Sequence, residues 1–295
     1  MRRLFSIWLL VLLLLPVQGQ IARHPFHVPV ATEQGGGYDS DLETYINGLT
    51  TELSSGQLDK LNTFFTDLKS DLGITNLSDV FDAMYILANE TSESSLRNAV
   101  ERDHDCTNYS ASFTTLEGFT GNGTSQYIST DFVPSTDGVN FTQNSGAIGV
   151  YSRTAANPAN EGCYLGVSDG VQNTCLQPYS SGEIVFSLND VTVSYTETTS
   201  NAHAALWITT RTSSSAVILY KNKTTSTSDP ATANSVGLPT MEFNILARKN
   251  YTREFYSVAQ VSLAFVAEHI TTAMRDAIVD NFEAYMDSNS KGIIP

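Results

Sequence analysis

The sequence predicts a mainly β chain: an antiparallel β-sandwich of jelly-roll type, preceded by a helical segment and closed by a C-terminal helix. Three observations carry this. From about Thr107 to Val266 apolar residues recur in short runs with a period of two, and Gly, Asn, Asp and Ser interrupt them about every ten residues. Before and after that region the apolar spacing changes to three and four. Finally, 41% hydrophobic residues, with thirteen Tyr, fourteen Phe and two Trp, suffice for a sizeable core and exclude disorder for most of the chain.

The first twenty residues, MRRLFSIWLLVLLLLPVQGQ, combine two arginines, an apolar run from Leu4 to Leu15 and a small Gly19. This is the three-part build of a secretory signal peptide over residues 1–19, with cleavage expected after Gly19. The run is short for a transmembrane helix, which needs ~20 residues, and no later run is long enough. The mature chain is therefore expected to lack a membrane span and to be secreted or held at a surface. Residues 20–37, ending in Gln34-Gly35-Gly36-Gly37, read as a flexible leader.

Residues 38–100 read as a helical segment. Between Ser54 and Gly73, the residues Leu58, Leu61, Phe64, Phe65 and Leu68 share one helical face. A second helix is predicted from Ser78 as N-cap, with Val80, Phe81, Met84 and Leu87 on one side. Amphipathic stripes of this kind are expected to dock on the β-body or on a protein partner reached through residues 40–95.

Residues 101–295 read as the jelly-roll domain. Its β-runs fall at 112–116, 126–130, 147–151, 183–188, 191–195, 205–209, 216–220 and 242–247, with a last strand at Val258–Val266. Thr271 or Thr272 then caps a helix whose buried side carries Met274, Ile278, Val279, Phe282 and Tyr285. The stretch GFTGNGTSQYISTDFVPS (118–135) sets three glycines before Tyr127-Ile128, which points to a backbone demand for positive φ or close strand approach. Cys163 and Cys175 flank CYLGVSDGVQNTC, where Asp169-Gly170 supplies a hairpin turn. In an exported chain a Cys163–Cys175 disulfide is expected, leaving Cys106 over.

The formal charge is −15, and the few basic residues are scattered, which excludes a nucleic-acid partner. The chain has no H-E-x-x-H and no P-loop. Asp103-His104-Asp105-Cys106 holds metal-ligand chemistry, but without a second ligand pair its cysteine reads as structural. His24 and His27 sit three apart in the leader beside Pro25, where they read as incidental.

Phe119-Thr-Gly-Asn-Gly-Thr-Ser-Gln-Tyr-Ile-Ser-Thr130 resembles the first core strand of the laminin-G-like and concanavalin A-like jelly rolls, with its Phe-x-Gly lead into Tyr127-Ile128. The segment 205–223 resembles a hairpin of the same superfamily, with Asn222 in the turn and Lys223 where Gly is usual. Residues 241–274 are similar to its closing strand pair and helix. The helical segment joined to such a β-body also resembles phage and prophage structural, tail-associated proteins.

The resemblance implies a binding surface with an aromatic face for sugar stacking and polar residues beside it. Candidates lie at predicted loops: Tyr151, Arg153 and Asn157; Tyr164 and Tyr179; Trp207 and Arg211. Trp207 alternates with Leu206 and Ile208, so it faces outward if they fill the core and inward if they face a second layer. Related modules bind calcium, and Asp131, Asp137 and Asp169 are the candidates, although their spacing matches no D-x-D-x-D-G loop. Glucanases on this scaffold carry E-x-D-x-x-E on one strand; here Glu183, Asp190 and Glu197 are spaced by seven. The chain is thus expected not to be an enzyme but an exported module that binds a glycan or surface polymer. The alternatives are a structural component of a virion or cell-surface assembly and, third, a polysaccharide-cleaving enzyme.

Overall fold

The computed structural model describes residues 37–154, 162–178, 183–191, 195–198, 203–228, 234–251 and 255–295. The expected signal peptide, residues 20–36 of the expected leader with His24 and His27, Asn157 and Tyr179 lie outside them. Tyr38–Pro295 form one compact unit. It opens with helices α1 (Ser40–Ile46) and α2 (Ser55–Leu72), strand β1 (Phe81–Ile86) and the one-turn helix α3 (Ser92–Ser95). Strands β2 (Thr107–Tyr109), β3 (Ser112–Thr114), β4 (Gly118–Thr120) and β5 (Tyr127–Ser129) lead to the short helix α4 (Pro134–Asp137). Then come β6 (Gly146–Ser152), β7 (Leu165–Ser168), β8 (Asn173–Pro178), β9 (Glu183–Asp190), β10 (Tyr195–Thr198) and β11 (Ala205–Ser213). The chain ends with β12 (Ala216–Lys221), β13 (Thr224–Ser228), β14 (Asn244–Ile245), β15 (Arg248–Lys249), β16 (Gln260–Ala267) and α5 (Thr272–Ser288).

The strands form two eight-stranded sheets, a mainly antiparallel β-sandwich with helices near both ends of the chain, as the periodicities predict. One sheet runs β13-β12-β11-β6-β16-β4-β3, with β1 also paired to β16; the other runs β10-β9-β8-β7-β14-β5-β2, with β15 on β7. Side-chain alternation sorts the core into two parts. Ile148, Val150, Trp207, Leu219 and Ala264 face the second sheet, meeting Ile128, Leu165, Leu176, Phe186 and Ile245. Tyr151, Leu206, Ile208, Leu263 and Phe265 point the other way, against Leu58, Leu61, Phe64, Phe65 and Leu68 of α2 and Ile278 and Phe282 of α5. The first sheet is therefore buried on both faces, and the architecture is three layers deep.

The helix ends follow local chemistry. Ser54 accepts the N–H of Gln57 at 3.2 Å, Gly73 closes α2 at φ +69°, and Thr271 accepts the N–H of Met274. Lys69 holds α1 on α2 by bonding Asp39 and Asp41, and Phe64 meets Phe282 edge-on at 5.8 Å. The apolar face of the helical segment is spent on this β-body.

The helix predicted from Ser78 is instead strand β1, paired with β16 from Phe81↔Ala267 to Ile86↔Leu263. Ala83 and Tyr85 enter the core between the sheets, while Met84 and Ile86 enter the helical layer. A strand buried on both sides is apolar at nearly every position, so a three-and-four spacing can be picked from it as readily as alternation. The glycine question of 118–135 is answered at Gly118, which has φ +104°, and a Cβ there would lie 2.0 Å from the carbonyl oxygen of Val261. At the β12–β13 turn Asn222 takes φ +51°, and Lys223 keeps a negative φ, so no glycine is required.

Several carboxylates hold neighbouring backbone. Backbone N–H donors of Thr50 and Asn76 hold Glu93 and Asp79, respectively, below the usual carboxylate range, and Lys291 does the same for Glu117. A depressed folded pKa contributes stability that is complete above the unfolded value, about 4, and is lost as pH falls through the folded one. The thermal midpoint is therefore expected to fall between pH 5 and pH 3, and Glu93→Gln to flatten that slope. A midpoint level over the same range would contradict these assignments.

Candidate functional site

A partly exposed aromatic cluster fixed by sheet pairing lies at the edge of the second sheet. Strands β2 and β5 pair antiparallel with Tyr109 directly opposite Tyr127, so the two side chains share one face. Their rings stack with centroids 4.4 Å apart and planes 9° apart. Tyr127 is 7% exposed, whereas Tyr109 leaves 44% of its surface to solvent. Tyr256 adds a third ring, 6.2 Å from Tyr127 and tilted by 49°.

Backbone bonds set the position of Tyr256. The Ser257 carbonyl accepts the N–H of Gly123 at 3.1 Å, the Ser257 N–H donates to Leu246, and the Phe255 carbonyl accepts the N–H of Cys163 at 2.8 Å. Phe255 is 37% exposed, and the Arg248 guanidinium lies 4.1 Å from its ring centroid. Tyr251, 72% exposed, donates its hydroxyl to the carbonyl of Asp169 at 2.7 Å. Beside the platform, Asn122 accepts the N–H groups of Thr124, Ser125 and Gln126 and so rigidifies the 121–126 turn. Flat, partly exposed rings next to amide and hydroxyl groups suit the C–H face and hydroxyls of a sugar.

The residues proposed from sequence lie elsewhere. Trp207 is 0% exposed in the core between the sheets and donates its indole N–H to the His203 carbonyl at 3.0 Å. It faces inward because Leu206 and Ile208 have the helical layer to fill, the second of the two arrangements that alternation allowed. Arg211 is also buried, donating to Leu188, Ser213 and Ser214 carbonyls and pairing with Asp190 at 3.8 Å across the sandwich. Tyr151 is buried under α5, its hydroxyl donating to Glu283 at 2.5 Å, and Arg153 donates to the Lys291 carbonyl. Trp207, Arg211 and Tyr151 are thus closed to a ligand.

Asp131 and Asp137 both come near His104: its Nδ1 lies 3.1 Å from the Asp131 carbonyl, and its Nε2 lies 3.9 Å from Asp137. Asp137 caps Val133, and Asp169 accepts from Val171, Gln172 and Thr240 in a separate turn. Burial opposes ionisation of Asp169, but these N–H donors outweigh it and lower its pKa. Among the described residues no group of three or more His, Cys, Asp or Glu side chains converges as a metal site. In this structure Cys163 and Cys175, the expected disulfide pair, are free, buried thiols. Nor do they stand directly opposite each other, since Gly166 is the cross-strand partner of Cys175.

No family model and no curated protein sequence matches the chain. Solved structures do. A mutant of Trypanosoma rangeli sialidase displaying trans-sialidase activity aligns with a TM-score of 0.53 at 10% identity over 81% of this chain and 40% of its own. Trypanosoma rangeli sialidase itself aligns at 0.51 and 9% over 81% and 40%. The binding domain of botulinum neurotoxin serotype G aligns at 0.50 and 10% over 69% and 51%. The chain thus spans about two fifths of the sialidases it matches.

At these identities the likeness is one of fold. It corrects the expectation that the chain is not an enzyme, because the architecture recurs in sialidases. Among the described residues no helix is long and apolar enough to cross a membrane.

Tyr109, Tyr256 and Phe255 were missed from sequence, and only Tyr127 stood in a recognised motif. The available signal was the pairing of two tyrosines on short strands flanked by Asn and Ser, and it becomes visible only once the register is known.

Proposed function

We propose that this β-sandwich recognises a glycan, with the Tyr109–Tyr127–Tyr256 platform as the stacking surface, in an exported or surface-held chain. The observation that carries the reading is the parallel-stacked Tyr109–Tyr127 pair, whose outer ring is 44% exposed. A stacked pair holds its exposed ring rigid before a ligand arrives, which reduces the entropy lost on binding. The resemblance of 119–130 to laminin-G-like and concanavalin A-like strands supports it, and so does the fold shared with a toxin's binding domain. The net charge of −15 favours a neutral sugar face at the platform over a polyanion.

The test is a glycan screen on the full chain that includes sialylated glycans, run with calcium and with a chelator. Tyr109→Ala is expected to weaken binding about tenfold, equivalent to ~1.4 kcal/mol, with the thermal midpoint unchanged because the ring is half exposed. Release of sugar from sialosides is followed in the same samples, so that turnover is seen if it occurs. A folded protein that binds no glycan, or whose Tyr109→Ala variant binds as tightly, would overturn the platform reading.

A further inference from the structure

Cys163 and Cys175 lie on the outer face of the second sheet, both without solvent exposure. Their proximity has a steric origin. Gly166 stands opposite Cys175 in the β7–β8 ladder, and a Cβ at Gly166 would lie 2.7 Å from the Cys163 sulfur and 3.0 Å from the Cys175 Cβ. The Cys163 thiol thus fills the space of the missing side chain at 166 and becomes the cross-strand neighbour that Cys175 would otherwise lack. The Cys163 thiol donates to the carbonyls of Leu165 and Leu176 at 3.2 and 3.3 Å, and Ser187 donates to the Cys175 sulfur at 3.6 Å.

We propose that Cys163 and Cys175 are oxidised to a disulfide that ties the segment entering β7 to β8. The oxidant is a disulfide-bearing one, either a small-molecule disulfide or the active disulfide of a thiol oxidoreductase. One cysteine, as thiolate, attacks one oxidant sulfur and expels the other as a thiolate. The second cysteine then gives up its proton and attacks the first cysteine's sulfur in the mixed disulfide, expelling the second thiolate. The Cys163–Cys175 bond forms, the oxidant's S–S bond breaks, and two electrons and two protons leave with the oxidant as two thiols. Because both sulfurs are buried in the folded state, the exchange belongs to the folding chain, before the Cys163–Phe255 and Ser257–Leu246 backbone bonds are made.

The bond has a consequence at the platform, which rests on the glycan reading above. The Cys163 N–H holds the Phe255 carbonyl at 2.8 Å, so pinning Cys163 also pins the 255–257 segment that carries Tyr256.

The deciding experiment counts thiols. The full chain, produced in an oxidising compartment, is denatured with N-ethylmaleimide before and after reduction and weighed intact. Of three cysteines, one adduct at Cys106 is expected without reductant and three after it, with a chymotryptic Cys163–Cys175 cross-link. Three adducts without reductant, or a cross-link involving Cys106, overturn the proposal, and neither result depends on any variant or on sugar binding. Cys163→Ser is expected to lower the thermal midpoint by roughly 5–10 °C under oxidising conditions and to leave reduced protein less affected. A disulfide found in a protein that binds no glycan would overturn the platform and leave the bond standing.

Discussion

Trp207→Ala is expected to destabilise the protein by about 3–5 kcal/mol, a large share of the ~5–15 kcal/mol that a domain has in total. The indole fills the core between the sheets at 0% exposure, with Val150 on one neighbouring strand and Lys221 on the other in direct register. Those strands are pinned by their own ladders, so they cannot close on the space left behind, and the cavity persists. The substitution also removes the donor to the His203 carbonyl. Trp207→Phe keeps a ring and is expected to lose less. Guanidinium denaturation of the two variants separates this from a ligand-contact role. An unchanged midpoint with weakened sugar binding would return Trp207 to the surface.

The same residue shows why the fold was more legible than the site. Periodicity identifies strands by alternation, and β6, β9, β11, β12 and β16 all lie where the period of two placed them. Caps at Ser54, Gly73 and Thr271 are local chemistry and were readable from the sequence alone. Alternation does not say which of two faces meets a second sheet and which meets a helix. Leu206 and Ile208 were therefore compatible with either side, and so was Trp207. Strand β1 failed for the related reason that burial on both faces erases the alternation itself. The tyrosine platform is less legible still. Tyr109 and Tyr127 meet through strand register, and Tyr256 joins them from a distant segment held by backbone bonds to Gly123, Leu246 and Cys163. No local spacing encodes that convergence.

Deletion of residues 38–100 is expected to abolish folding of the remainder, an effect larger than that of any single substitution. The cut removes β1, whose five paired positions cover the β16 edge from Leu263 to Ala267. That edge would then offer unpaired N–H and C=O groups along an apolar strand, a template for aggregation. It also uncovers much of the face that α2 packs, including Leu206, Ile208 and Phe265. Exposing three such side chains forfeits roughly 5–9 kcal/mol at ~1.5–3 each, which matches a typical net stability. The Asp82 carboxylate, which accepts the N–H groups of Val139, Asn140 and Phe141, is lost as well. Residues 101–295 alone are expected to be insoluble or to bind a hydrophobic dye without a cooperative melt. A soluble fragment with a sharp two-state transition would contradict the three-layer account. The deletion is accordingly a poor way to look for a protein partner of the helices, since loss of assembly would follow from loss of fold. Charge reversals on the solvent side of α2, at Asp59 or Asp67, leave the packed face intact and ask the question directly.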